Sequence, residues 1–132
     1  MNLKKIAIIG GGNLGSAIAE GLIKSAFAKA SDITITRRNL LRLQSLKDQG
    51  VSVTDNNQSA IEANDVIIVA LKPFNVKEVL EGLKKSFDPK RHIVISVVTG
   101  IFLNDLAAIL GTGVPIFRAM PNTAIAIQES VT

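Results

Sequence analysis

The chain has no cysteine, no tryptophan and no tyrosine, and its 132 residues include a single histidine, His92. Without thiols there is neither a disulfide framework nor a cysteine nucleophile, and one imidazole cannot build a zinc cluster or a histidine-based catalytic relay. No metal site is expected. Aromatic residues make up only 4%, and the basic residues behind the net charge of +4 are scattered along the chain. The stacking platforms and basic stripe of a nucleic-acid binder are therefore missing, and no nucleic-acid partner is expected. Long apolar runs are absent too. Ile6-Ala7-Ile8-Ile9 is too short for a signal-peptide core and is cut off by glycine, and nothing approaches the roughly 20 residues of a membrane span. No membrane partner is expected, and the expected compartment is the cytoplasm. His92, after Lys90-Arg91 and just before an apolar run, reads as a surface residue. No carboxylate pair stands out, since Glu78 and Glu81 decorate a helical pattern and Asp105 follows Asn104 near a helix start. No catalytic residue can be named on these grounds.

What is present is an ordinary globular composition, 47% hydrophobic and 20% charged, sufficient for one domain with a substantial core. Short β-branched runs alternate with helical patterns from one end to the other. The strand candidates are Lys5 to Ile9, Ile33 to Thr36, Val51 to Thr54, Val66 to Ala70, Ile93 to Val97 and Pro115 to Phe117. The first, fourth and fifth are nearly continuous Ile/Val/Ala runs, the pattern of parallel strands covered on both faces. Between them Leu14, Ala17, Ile18, Gly21 and Leu22 fall at helical spacing, as do Val76, Val79, Leu80 and Leu83. Asn39 is placed to cap a helix carrying Leu40, Leu43 and Leu46, Gly50 to end it, and Asn75 to cap the next long helix. The alternation predicts an α/β fold, a doubly wound and mostly parallel sheet of the Rossmann type, with five connecting helices or turns.

The order of that sheet is set by its first loop. Gly10-Gly11-Gly12-Asn13-Leu14-Gly15 comes directly after the first strand and opens a helix, with Gly10, Gly12 and Gly15 at G-x-G-x-x-G spacing. In this setting the first glycine makes the tight turn, the second lets backbone approach a pyrophosphate, and the third lets the helix pack close to the strand. Unpaired N–H groups at the helix start then face the phosphates. A dinucleotide site and a strand order of 3-2-1-4-5-6 are predicted. At the end of the second strand, where NAD-binding versions carry an acid for the ribose hydroxyls, the chain reads Thr36-Arg37-Arg38-Asn39, and the nearest acid, Asp32, lies at the strand's beginning. Guanidiniums suit a 2′-phosphate and a carboxylate repels it, so the expected cofactor is NADP(H), with NAD(H) possible. A solvated turn before a helix is the alternative for the arginine pair.

Two later segments, Val69-Ala70-Leu71-Lys72-Pro73 and Arg118-Ala119-Met120-Pro121-Asn122-Thr123, add to the glycine loop and to Ile95-Ser96 through Gly100. Together they resemble pyrroline-5-carboxylate reductase, a family that makes proline by hydride transfer from NAD(P)H to a cyclic imine. The resemblance covers the amino-terminal half of that family. It implies that residues 1–132 are a dinucleotide-binding domain, that the all-helical domain which dimerises and completes the substrate pocket is absent, and that a homo-oligomer is expected only with that domain. It also implies cofactor contacts from Ala70, Leu71, Lys72 and Pro73, from Asn57 beside the adenosine, from Thr99, and from Asn13 and Leu14 along the pyrophosphate and ribose.

The residues themselves leave some alternatives open. Lys72 reads equally as a solvated strand end, Asn56-Asn57 as a helix cap, and Asn122 with Thr123 either as a nicotinamide or substrate contact or as residues satisfying their own turn. Two departures from the family pattern are Ala124, where a proline usually comes after Asn-Thr, and Phe102, where a hydroxyl residue usually opens the helix. The rival expectations are another NADP-dependent reductase, such as a coenzyme-F420-dependent NADP reductase, and a non-catalytic nucleotide-binding module.

Overall fold

The computed structural model describes residues 5–10, 12–98, 103–111 and 113–118. Six strands form one sheet: β1 (Ile6–Ile9), β2 (Ile33–Thr36), β3 (Ser52–Thr54), β4 (Val66–Val69), β5 (Ile93–Ser96) and β6 (Ile116–Arg118). Their order is β3-β2-β1-β4-β5-β6 and every pairing is parallel. This is the doubly wound sheet that the glycine loop and the alternation predict. Strand limits differ from the sequence reading by a residue at most. The shift at β6 has a chemical reason: Pro115 has no N–H, yet its carbonyl still accepts Val94 N–H at 2.9 Å.

The helices are α1 (Asn13–Lys24), α2 (Gln44–Asp48), α3 (Asn57–Ala63), α4 (Pro73–Leu83) and α5 (Leu103–Leu110). One face of the sheet presents Ile6, Ile8, Ile33, Ile35 and Ile68 to Ile18, Ala19 and Leu22 of α1 and to Leu43 and Leu46. The other presents Ala7, Ile9, Ile67, Val69 and Val94 to Ala60 and Ile61 of α3, Val76 and Leu80 of α4, and Leu106 and Leu110 of α5. The core thus lies in two layers with the sheet between. Because side chains alternate along a strand, β1, covered on both faces, is apolar throughout, whereas β2 reads Ile-Thr-Ile-Thr, with its isoleucines in the first layer.

Three local expectations are corrected. Asn39 does cap, its Oδ1 accepting Leu41 N–H at 3.1 Å, but it opens a 3-10 turn over Leu40–Leu43 that leads into the short α2. Asn75 caps nothing: Lys72 is the cap residue and Pro73 opens α4, because proline's fixed φ suits the first helical position, where its missing N–H is not needed. His92 is not on the surface but 2% exposed. Its Nδ1 accepts Asp88 N–H at 2.8 Å, which leaves Nε2 to donate to the Ile61 carbonyl at 2.9 Å, and its ring lies edge-on to Phe87.

Candidate cofactor site

At the carboxyl ends of the strands the chain leaves β1 toward one face of the sheet and β4 toward the other, which opens a crevice between them. Gly10 sits at its base with φ +105°, and a Cβ there would lie 2.8 Å from the Ala70 carbonyl oxygen and 3.1 Å from Leu71 N. It therefore serves both as the left-handed turn and as the contact between the two loops. Ala70 N–H donates to the Ile9 carbonyl at 2.9 Å, so the ends of β1 and β4 stay side by side. A Cβ on Gly15 would overlap the Gly10 carbonyl oxygen and reach Ile8 Cγ2 at 3.3 Å. The start of α1 is thus pressed against the loop that leads into it.

Gly12 differs from both. Among the described residues no atom beyond the flanking backbone lies within 4 Å of where its Cβ would be, no side chain caps α1 there, and the first turn of α1 holds no acid. The helix starts at Asn13 and Leu14, both exposed, with its cap carbonyl taking Ser16 N–H at 2.9 Å. Open space beside uncapped backbone donors at a helix start is what a phosphate requires.

Arg37 and Arg38 come after β2 at the same end of the sheet, the first half-buried and the second exposed; Asp32 lies beyond the opposite end of β2. Arg37 N–H donates to the Thr54 carbonyl at 3.1 Å, extending the β2–β3 pairing past the last paired residue. Asn57 is the first residue of α3. The cap function belongs to its neighbour, since Asn56 Oδ1 accepts Ser59 N–H at 3.1 Å. That separates the two asparagines, and the half-buried Asn57 is not the cap. Lys72 is exposed and Pro73 directs the chain into α4. Gly10, Gly12, Asn13, Leu14, Gly15, Arg37, Arg38, Asn57, Ala70, Leu71, Lys72 and Pro73 thus all fall at one edge of the sheet. Thr99 and Asn122 lie outside the described residues, as do Phe102, Thr123 and Ala124.

Sequence reasoning passed over three hydroxyls at this edge. Thr36 Oγ1 accepts Gly10 N–H at 3.2 Å, Thr54 Oγ1 accepts Asn56 N–H at 3.1 Å, and Ser96 Oγ accepts Val98 N–H at 3.3 Å. The available signal was that β2, β3 and β5 each end on a hydroxyl residue. A separate groove of about 390 Å³, lined by Leu41, Gln44, Lys47, Val51, Ser52 and Val53, runs beside the edge strand β3 and shares no residue with the crevice.

Residues 5–100 match the sequence profile of the family described as NADP oxidoreductase coenzyme F420-dependent. The chain is 42% identical over 127 residues to pyrroline-5-carboxylate reductase 1 of Dictyostelium discoideum, a match covering 96% of this chain and 23% of that protein. It is 43% identical over 134 aligned positions to pyrroline-5-carboxylate reductase 2 of the same organism, covering 99% of this chain and 44% of that one. Among solved structures, a pyrroline-5-carboxylate reductase from Coxiella burnetii superposes with a TM-score of 0.84 at 36% identity, over 92% of this chain and 45% of that chain. The chain therefore spans less than half the length of these three proteins.

Proposed function

The chain belongs to the family described as NADP oxidoreductase coenzyme F420-dependent, and from that premise we propose that it is the NADP(H)-binding domain of a pyrroline-5-carboxylate reductase. The observation that carries the choice of enzyme is the reach of the likeness. The family profile stops at residue 100, whereas the match to the Dictyostelium reductase takes in 127 of the 132 residues. It therefore extends over most of the chain beyond residue 100, where Arg118-Ala119-Met120-Pro121-Asn122-Thr123 stands.

The residues fit the cofactor. The space beside Gly12 and the uncapped start of α1 take the pyrophosphate, with Asn13 and Leu14 alongside. Arg37 and Arg38 take the 2′-phosphate at an end of β2 that has no acid, and Asn57 lies toward the adenosine side. Ala70 and Leu71, held against Gly10, wall the nicotinamide side, with Lys72 and Pro73 closing the loop. Thr99 and Asn122 complete the cofactor set in this reading. When bound, the reduced nicotinamide supplies hydride to the C=N carbon of the cyclic imine, and the protein's contribution is to position it and exclude competing reactions. The imine pocket, the proton donor and the subunit contacts of a homo-oligomer fall to a further helical domain of the whole enzyme. The proposed compartment is the cytoplasm; among the described residues no helix is long and apolar enough to cross a membrane.

The family description itself favours a second reading, reduction or oxidation of coenzyme F420 with the same nicotinamide cofactor. Calorimetric titration of the chain with NADPH and NADH tests the shared part. NADPH should bind the more tightly, and Arg37→Ala or Arg38→Ala should weaken it about tenfold while leaving NADH nearly unchanged. A folded chain that binds neither nucleotide overturns the cofactor assignment. Measuring NADPH oxidation by the whole enzyme with pyrroline-5-carboxylate, and separately with oxidised coenzyme F420, decides between the two enzymes.

A further inference from the structure

The last register row of the sheet runs Thr54, Thr36, Ile9, Val69, Ser96, Arg118, one residue from each of the six strands. Residues in one row share a face, and Thr36, between Thr54 and Ile9, is only 2% exposed. A buried hydroxyl needs a partner, and this one reaches across to another loop: its Oγ1 accepts the amide of Gly10, 26 residues earlier, at 3.2 Å. The next residue, Arg37, gives its own amide to the Thr54 carbonyl at 3.1 Å. Thr54 Oγ1 in turn accepts the amide of Asn56, the residue that caps α3 just ahead of Asn57. An unbroken path of hydrogen bonds and single residues thus joins the phosphate loop, the arginine pair and the start of α3, which the chain supplies from three separate crossovers.

We infer that Thr36 is a positioning residue that sets the distance between the glycine loop and the Arg37-Arg38 end of β2, and thereby the discrimination between NADPH and NADH. The inference rests on the proposed NADP(H) site. The Gly10 amide is held by Thr36, so it is not a donor to the pyrophosphate; its role is to anchor the loop. Threonine suits this because two heavy atoms on Cβ restrict χ1, so the hydroxyl holds one direction. NADPH engages both the loop and the guanidiniums and depends on their spacing. NADH engages the loop and is less sensitive to where the guanidiniums stand. Valine has the same shape without the acceptor, so it separates this role from simple space filling.

The test is calorimetric titration of wild type, Thr36→Val, Thr36→Ala and Thr36→Ser with NADPH and NADH, alongside thermal melting. Thr36→Val should lose about fivefold in NADPH affinity, the size of one neutral hydrogen bond, with NADH changing less than about twofold, so that the NADPH/NADH ratio falls. Thr36→Ser, which keeps the acceptor, should recover most of that ratio. Thr36→Ala reads the same ratio without bulk if the valine variant does not fold. An unchanged ratio in the hydroxyl-free variants overturns the inference, even if both affinities drop together or the melting temperature falls. If wild type binds neither nucleotide, the cofactor reading has failed and this inference with it, an outcome distinct from a wild type that binds and a variant that keeps its ratio.

Discussion

The two ends of the sheet are built from the same strands and finished in opposite ways. At the amino ends, polar groups are turned on one another. Lys5 accepts the amides of Asp65 and Val66 and gives its own to Asp65 Oδ2 at 3.2 Å; Asp65 also receives Arg91 Nε at 3.0 Å and, through its carbonyl, Ile93 N–H at 3.1 Å. Arg91 Nη1 donates to the Glu62 carbonyl at 2.6 Å, and buried His92 joins the Asp88 amide to the Ile61 carbonyl. At the carboxyl ends the start of α1 has no side-chain cap, the space beside Gly12 is open, and Asn13, Leu14, Arg38 and Lys72 are exposed. One end spends its donors on the fold; the other keeps them for a ligand, as open α/β sheets do. Changes at the first end should alter stability alone, and changes at the second should alter binding.

The largest effect is expected where the two requirements meet. Gly15→Ala should gain about 1 kcal/mol in intrinsic helix preference, yet its Cβ would overlap the Gly10 carbonyl oxygen with the sheet's Ile8 behind it. Overpacking of backbone should dominate, for a net loss of about 3 kcal/mol in urea denaturation and no measurable NADPH binding. A variant as stable as wild type would show that α1 is free to slide off the loop. Next, His92→Leu keeps much of the volume but strands the Ile61 carbonyl and the Asp88 amide, so denaturation should show a loss of about 2 kcal/mol. The NADPH Kd of the folded fraction should not move, and a weaker Kd would mean that the closed end communicates with the open one.

Gly12→Ala sharpens the contrast within a single loop. Among the described residues no atom beyond the flanking backbone lies within 4 Å of the new methyl, and φ is −73°, so stability should stay within about 0.5 kcal/mol. The methyl would instead fill the space meant for pyrophosphate. NADPH and NADH should weaken together, by about tenfold or more, unlike the NADPH-selective loss expected at the arginines. Undiminished titration of both nucleotides would place the pyrophosphate elsewhere.

Much of this arrangement could be read in advance because its causes are local. The apolar runs at Ile6, Val66 and Ile93 mark buried central strands, and the spacing of Gly10, Gly12 and Gly15 marks the turn, the open space and the close approach that the structure distinguishes. Gly50, with φ +106°, ends its helix as expected. Asn75 misled because proline two residues earlier starts the helix first. His92 and Thr36 were opaque for another reason: they bond backbone groups, and Ile61 lies 31 residues from His92 and Gly10 26 residues from Thr36. A carbonyl or an amide carries no side-chain signature, so only the fold reveals which of them a polar side chain will meet.

The smallest effect belongs to Arg91, and it measures how much of the closed end depends on charge. Its guanidinium ties the end of α3, through the Glu62 carbonyl, to Asp65 at the head of β4, just before β5 begins. The ion pair is partly in water, with side-chain exposures of 43% for Arg91 and 32% for Asp65. Pairs of this kind contribute little, because solvent screens the attraction and two long side chains must be ordered to make it. Arg91→Ala should therefore cost about 0.5 to 1 kcal/mol, less than His92→Leu, because His92 is buried and Arg91 is not. At 1 M salt, where the Debye length is about 3 Å, the part due to charge should shrink. The part due to the bond with the Glu62 carbonyl should remain. Denaturation at low and high salt separates the two. A loss above about 2 kcal/mol that salt leaves unchanged would mean the guanidinium is held as rigidly as a core residue, and the closed end would then owe its stability to this bridge rather than to the buried imidazole.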